Sequence, residues 1–185
     1  MMQLKQERLT TDRLELRPWC LDDAPALFEL ARDPHVGPRA GWQPHTSVEE
    51  SRVVIQQVLA VPDSFAIVER ATGALVGAVA LKHEDDSYLV GGSDEAELGY
   101  WIGVPFQGRG YATEAAAEVL RYAFEDEGIH AVWAGYYDGN ERSRRVQEKL
   151  GFVHQFSAER DVSLLGEHRI EHCQRMDAEA WHHAG

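Results

Sequence analysis

The chain has 185 residues, of which 44% are hydrophobic and 26% charged, and its formal net charge at pH 7 is -13. This length and composition predict one folded domain, residues 1–185, that buries roughly 70% of the surface of its unfolded chain. The negative charge argues against general binding to nucleic acid or to an anionic membrane, because both would be repelled, and it favours a cationic partner.

Two further features bear on location. The first ten residues carry charges and no apolar segment of the signal-peptide type, and no apolar stretch approaches the roughly 20 residues that a membrane span needs. The two cysteines, Cys20 and Cys173, are too few for a disulfide framework and lack the paired spacing of a zinc site. We therefore expect a cytoplasmic protein.

In the first half of the chain, apolar residues alternate with charged ones from Leu14 to Pro18, which predicts a half-buried strand. The elements predicted after it are a helix from about Ala24 to Arg32, a helix from Ser47 to about Ala60, a hairpin of strands Phe65–Glu69 and Leu75–Leu81, and a polar surface loop, Glu84–Asp94. Prolines and glycines in the segment Pro34–Pro44 predict irregular structure, either a loop facing a substrate or a plain connection.

The second half begins with a fourth predicted strand, Glu97–Gly103. It is followed by an alanine-rich helix to Asp126, a strand Ala131–Tyr137, a helix from Asn140 to Lys149, and closing strands over about Phe152–Arg160 and Glu167–Met176. Glycines just past both helices are typical C-terminal stops.

A glycine-bearing turn between the fourth strand and its helix is the most informative segment. Glycine lets the backbone approach a ligand closely, and successive N–H groups at a helix N-terminus favour an anion such as a pyrophosphate. A Gly-x-Gly turn alone is equally compatible with a plain strand-to-helix connection. A Rossmann dinucleotide site fits poorly, because Thr113 replaces the third glycine and Asp138 comes about 30 residues on, instead of roughly 20.

Gln107–Ala112 resembles the Gln/Arg-x-x-Gly-x-Gly/Ala signature with which the GCN5-related N-acetyltransferase (GNAT) superfamily holds the pyrophosphate of acyl-CoA. Further segments resemble the branch that contains the ribosomal-protein N-terminal acetyltransferases: Leu9–Pro18, Glu97–Gly103, Tyr111–Ala115 and Asn140–Phe152. The motifs occur in the same order as in that branch and cover nearly the whole chain.

This resemblance implies a mixed α/β fold with a central, mostly antiparallel, seven-stranded sheet, about four flanking helices and a V-shaped splay between the fourth and fifth strands. Acetyl-CoA, as cosubstrate, would enter the splay. The binding residues that the resemblance implies are Ile102, Gly103 and Val104 on the strand, Gln107, Gly108, Arg109, Gly110, Tyr111, Ala112 and Thr113 in the turn, and Asn140 and Ser143 beyond it. Asn140 is also a natural helix cap.

The resemblance further implies transfer of the acetyl group to a primary amine, either a protein N-terminal α-amine or a small-molecule amine. Glu97 is the predicted base, acting through water, because it matches an acid with that role in relatives; the alternative is an ordinary exposed strand glutamate. Many members protonate the leaving thiolate with a tyrosine at the position of Gln147, and the branch implies Ser143 as its substitute. The alternative for Ser143 is a local hydrogen bond in the first helical turn.

The missing tyrosine keeps open a second hypothesis, a non-catalytic acyl-CoA-binding or sensing domain. A basic run of Arg142, Arg144 and Arg145 is expected either to meet cofactor phosphates or to form a solvated helix face. The pairs His168 with His172 and His182 with His183 are not expected to bind metal. Dimers are common among relatives, so a homodimer is a further expectation.

The closing strand departs from the branch pattern, because Cys173 lies near the place where a tyrosine is usual. This departure bears on the identity of the acceptor amine and not on the fold.

Overall fold

The structure is a computed structural model that describes residues 7–184. Its strands are β1 Leu9–Thr10, β2 Leu14–Pro18, β3 Ser64–Glu69, β4 Leu75–Lys82, β5 Glu95–Ile102, β6 Ala131–Tyr137, β7 Val153–Val162 and β8 Glu167–Asp177. Its helices are α1 Ala24–Ala31, α2 Gly37–Ala40, α3 Val48–Val54, α4 Tyr111–Arg121, α5 Glu141–Leu150 and α6 Ala178–Ala184. Both α3 and α4 continue for five residues as a π turn.

All eight strands form one sheet in the order β1-β2-β3-β4-β5-β6-β8-β7. Every neighbouring pair is antiparallel except β5 and β6, which run parallel. That parallel pairing covers only three residue pairs and ends at Glu97 opposite Trp133. Beyond this point β5 pairs only with β4, and β6 only with β8, so the sheet is split over the rest of both strands.

Hydrophobic side chains cover both faces of the sheet. On one face, α4 supplies Ala115, Val119 and Leu120 to the larger core cluster. On the other face, α1 packs Leu27 and Leu30 in a second cluster together with Ile55. Because side chains of a strand alternate between the two faces, the split in the sheet opens toward both layers of helices.

The mixed, mostly antiparallel sheet and its flanking helices confirm the predicted fold class. Eight strands are present instead of seven, because Leu9 and Thr10 pair with Leu16 and Glu15 as a short edge strand. The predicted fourth and fifth strands are therefore β5 and β6, and the splay lies between them.

Two predictions about irregular segments were wrong. Pro34–Pro44 contains the short helix α2, because Pro38 fits a first-turn position and Gly41 ends the helix at a φ of 96°. Glu84–Asp94 is not wholly a surface loop, since Ser87, Leu89 and Val90 are buried. The C-terminal helix α6, Ala178–Ala184, has no counterpart among the predicted elements. Within residues 7–184, no helix is both long and apolar enough to cross a bilayer.

Candidate active site

A cleft of about 850 Å³ lies at the split between β5 and β6. Its lining includes both predicted catalytic residues, Glu97 and Ser143. It also includes most of the predicted cofactor residues: Ile102, Val104, Gln107, Gly108, Gly110, Tyr111, Ala112, Thr113 and Asn140. The fold thus brings together residues that the sequence separates by more than forty positions.

Two predicted cofactor residues lie beside the cleft and not in its lining. Gly103 faces α1, where an added Cβ would come within 2.6 Å of Leu30, and its N–H donates to the carbonyl of Val76 at 2.9 Å. Arg109 donates to the carbonyl of Pro105 at 3.1 Å and stacks its guanidinium on Phe106. Their roles toward the cofactor stay predictions.

The glycine turn is shaped for close backbone approach. Gly108 and Gly110 have φ values of 77° and 82°, which side-chain-bearing residues rarely adopt. Gly110 is the N-cap of α4, and the first helical hydrogen bond runs from Glu114 N to its carbonyl at 3.0 Å. The preceding N–H groups of the helix are therefore free of helical acceptors and suit an anion.

Cationic side chains of α5 line the same side of the cleft. Arg142, Arg145 and Lys149 are spaced for one helix face and all three are lining residues. Arg142 also donates to the side-chain oxygen of Gln107, whose amide donates to the carbonyl of Ile102 at 2.8 Å. Arg144 instead pairs with glutamates of its own helix, so the predicted basic run divides into cleft and solvent members.

Ser143 belongs to a hydrogen-bonded group at the start of α5. Its Oγ lies 2.9 Å from the hydroxyl of Tyr100 and 3.3 Å from the amide nitrogen of Gln147. Asn140 accepts from the Ser143 N–H at 3.4 Å, so its capping role is confirmed. The contacts of the Ser143 hydroxyl therefore join α5 to β5 and are not confined to the first helical turn.

Gln147 occupies the place of the missing tyrosine and is 1% exposed. Its amide nitrogen donates to the carbonyl of Gly135 at 3.1 Å, while its side-chain oxygen has no hydrogen-bond partner among the described residues. The phenol hydroxyl of Tyr100, from β5, lies next to Ser143 and Gln147. Burial raises the pKa of Tyr100, so this hydroxyl stays protonated at neutral pH.

Glu97 is 8% exposed, which excludes the alternative of an ordinary exposed strand glutamate. Its Oε1 lies 3.1 Å from the ammonium of Lys82, its cross-strand partner on β4. Its Oε2 accepts a hydrogen bond from Ser87 at 2.5 Å. The carboxylate is thus buried, with one side-chain partner on each oxygen.

Glu171 of β8 is a second buried carboxylate in the cleft lining, and it was not among the predicted site residues. Its Oε2 accepts from the Tyr88 hydroxyl and from Arg160, whose Nε lies 3.2 Å away. Burial of the hydroxyl end, followed by its bond to Glu171, raises the pKa of Tyr88 far above that of a free tyrosine. Burial and the same carboxylate also raise the pKa of Tyr137.

The pairing register assigns these groups to the two faces of the sheet. Glu97 is opposite Trp133, and Glu171 is opposite Tyr137, four residues further along β6. Paired residues share a face and alternate residues of a strand return to it, so Glu97 and Glu171 lie on one face. Tyr100 is three residues from Glu97 and so points to the other face, where it contacts Ser143.

The cleft therefore has two chemically different sides. On the α4–α5 side are the glycine turn, the cations of α5 and the hydroxyls of Ser143 and Tyr100. On the opposite side, called the carboxylate side below, are Glu97, Glu171 and Tyr88. Among the described residues, no three metal-ligating side chains gather closely enough to hold a metal ion.

Residues 13–153 match the family described as Acetyltransferase (GNAT) domain. This match covers more than half of the chain, so the protein belongs to the GNAT family and is an N-acetyltransferase. Acetyl-CoA is the cosubstrate of this family, which agrees with the turn and the split sheet.

Named relatives and solved structures agree. YoaA of Bacillus subtilis (strain 168), an uncharacterized N-acetyltransferase, is 30% identical over 154 residues, 78% of this chain and 81% of YoaA. The ribosomal protein uS5-alanine N-acetyltransferase of Escherichia coli (strain K12) is 40% identical over 67 residues, 36% of this chain and 34% of that enzyme. A GNAT-family acetyltransferase from Bacillus anthracis shares the fold, with a TM-score of 0.81 at 22% identity, over 94% of this chain and 99% of its own.

Proposed function

We propose that the protein transfers the acetyl group of acetyl-CoA to a primary amine by direct attack of the amine on the thioester. The acceptor is a protein N-terminal α-amine or a small-molecule amine. The observation that carries this proposal is the arrangement of the cleft, which holds carboxylates on one face of the split sheet and hydroxyl donors on the other. An amine and a departing sulfur need these two kinds of group on opposite sides of the thioester carbon.

Each side has an assigned part. Backbone N–H groups from Gln107 to Thr113, assisted by the cations of α5, bind the pyrophosphate. The unpaired edge of β5 beyond Glu97 offers backbone groups to the pantetheine arm and to the thioester oxygen. Ser143 donates a hydrogen bond to the departing sulfur, and a buried carboxylate takes the amine proton, for which the sequence predicts Glu97.

The acceptor class follows from amine basicity. An α-amine titrates near ~7.7 to 8.0, so a sizeable share is neutral at pH 7.5, whereas a lysine amine near ~10.4 is almost wholly protonated. An α-amine or a comparably weak base therefore suits a carboxylate-lined site better. The name of the uS5 enzyme gives an alanine as its target, and the only amine of alanine is its α-amine, which supports the same class.

The test combines binding with turnover. The melting temperature is measured with and without acetyl-CoA, and CoA release is followed with an alanine-initiated peptide, an α-blocked lysine and a small polyamine. We expect acetyl-CoA to raise the melting temperature and the peptide to release CoA fastest. Stabilisation by acetyl-CoA without release by any amine would contradict the proposal and favour a non-catalytic acyl-CoA-binding domain, which no present observation supports.

A further inference from the structure

We infer that Glu171, and not Glu97, is the carboxylate that receives the acceptor amine and takes its proton. The inference rests on the proposed acetyl transfer and names the base of that same site. It follows from which carboxylate oxygens are already bonded and where the remaining oxygen lies.

Both carboxylate oxygens of Glu97 already have a partner. Lys82 Nζ holds its Oε1 at 3.1 Å, and the Ser87 hydroxyl holds its Oε2 at 2.5 Å. An incoming amine would compete at Oε1 with the ammonium of Lys82, which is tethered to the neighbouring strand and so binds without loss of translational freedom. Lys82 and Ser87 therefore hold Glu97 in the wall of the cleft through both of its oxygens.

Glu171 is anchored through one oxygen only. The hydrogen bonds that described residues make to it, from Tyr88 and Arg160, both end on Oε2. A carboxylate has about four accepting positions, two on each oxygen, so both positions of Glu171 Oε1 are open, whereas each oxygen of Glu97 already has a partner. Because both donors bond to Oε2, they fix the direction in which Oε1 points.

The position of this second oxygen is set by a glycine. A Cβ added to Gly135 would lie 2.3 Å from Glu171 Oε1, so the carboxylate occupies the space that a side chain on β6 would fill. Gly135 lies two residues beyond Trp133, where the pairing between β5 and β6 has already ended. Oε1 therefore lies at the open part of the split, next to the backbone of β6.

Gly135 also marks the opposite side of the cleft. Its carbonyl accepts from Gln147 at 3.1 Å, and the same amide nitrogen lies 3.3 Å from Ser143 Oγ. Glu171 and the Ser143 group thus approach one residue of β6 from the two faces of the sheet. Glu171, as base, and Ser143, as hydrogen-bond donor to the sulfur, are therefore separated by the thickness of the sheet. The gap between β5 and β6 lies between them.

The step that this geometry serves conserves protons and charge. The neutral amine nitrogen attacks the thioester carbon, and the new C–N bond makes that nitrogen cationic and strongly acidic. Its proton passes to Glu171 Oε1 and afterwards to water. As the C–S bond breaks, the sulfur leaves as CoA thiolate, which accepts a hydrogen bond from Ser143 and takes a proton from solvent. Tyr88 and Arg160 orient the base without touching the amine.

The first experiment compares three charge-removing variants with each amine of the panel that the wild type acetylates. Glu171→Gln should lower kcat/KM by about a hundredfold, within the usual range for a positioned base. Glu97→Gln should lower it less than tenfold, and Glu159→Gln, an exposed β7 residue that does not line the cleft, should not change it. Acetyl-CoA affinity, measured by calorimetry, should stay within twofold in all three.

A second experiment separates a proton acceptor from a merely structural carboxylate. Glu171→Ala leaves a cavity beside Gly135 that formate fits, so added formate should restore part of the lost kcat, while Glu97→Ala should not respond. Formate rescue of Glu97→Ala alone, or wild-type kcat/KM in Glu171→Gln, would overturn the inference. A wild-type protein that binds acetyl-CoA and acetylates no amine would overturn the proposed function, and this inference with it.

Discussion

The two sides of the cleft are built in different ways. Apart from Tyr100 of β5, the α4–α5 side comes from two short continuous segments, the glycine turn at the start of α4 and the helix α5. The carboxylate side is assembled from β5 with the connection that precedes it and from β8, two parts that lie far apart in the sequence. Local backbone chemistry determines the first side, and strand register determines the second.

The largest expected effect is on the α4–α5 side, in Gly110→Val. A β-branched residue at a φ of 82° is strained by about 1–2 kcal/mol, and its side chain crowds the approach of the pyrophosphate. We expect no acetyl-CoA binding measurable by calorimetry. The matched control is Gly128→Val beyond α4, where φ is 67° and no atom lies within 4 Å of an added Cβ.

This control should lose similar stability and keep its affinity for acetyl-CoA. Affinity within twofold of wild type in Gly110→Val would instead show that the turn is only a connection, and the local side of the cleft would lose its assigned function.

The next effect is that of Ser143→Ala. Removing the proposed donor to the departing sulfur should lower kcat by about tenfold to a thousandfold. Acetyl-CoA affinity should change little, because Asn140 still caps α5 through the backbone of residue 143. Steady-state kinetics give the test, with the exposed Ser163→Ala as control. An unchanged kcat in Ser143→Ala would contradict the assignment of this hydroxyl as donor to the sulfur and leave it only a structural role.

A smaller effect is expected for Tyr100→Phe, which probes the contact between β5 and α5 on the α4–α5 side. Tyr100 acts through Ser143, so its removal should lower kcat by about two- to tenfold, the worth of one hydrogen bond. In a Ser143→Ala background the same change should have no further effect.

The pH profile sharpens this prediction. Burial raises the pKa of Tyr100 above that of a free tyrosine, so the hydroxyl is a neutral donor throughout pH 6 to 9. The ratio of wild-type to Tyr100→Phe kcat should therefore be constant over that range. A ratio that falls at alkaline pH would mean that Tyr100 is itself the proton donor, with its pKa within the range.

The same contrast explains what the sequence could predict. The glycine turn, the Asn140 cap and nearly all strands are local patterns, and the structure confirms the fold that they indicate. The helix α2 was missed because proline and glycine were taken only as signs of irregular structure, whereas here they begin and end a helical turn.

Tyr100 and Glu171 could not be assigned from spacing alone. Each is an ordinary strand residue whose significance depends on which face it occupies and on what the register places opposite. The departure at Gln147 was a usable signal for Tyr100, since a lost hydroxyl invites a search for another. Glycine at position 135 within a strand was a comparable signal for Glu171, because such a glycine often marks the close approach of another group.

The three residue pairs between β5 and β6 have one more consequence. They are the only strand pairing, among residues 7–184, between the β1–β5 part of the sheet and the β6–β8 part. The short pairing that joins the two parts of the sheet thus lies next to the reacting centre. Substitutions that extended this pairing would add ladder hydrogen bonds and raise the free energy of unfolding, yet they would close the space that the thioester needs. A more heat-resistant form of the protein would therefore have to gain its stability elsewhere than at the boundary between β5 and β6.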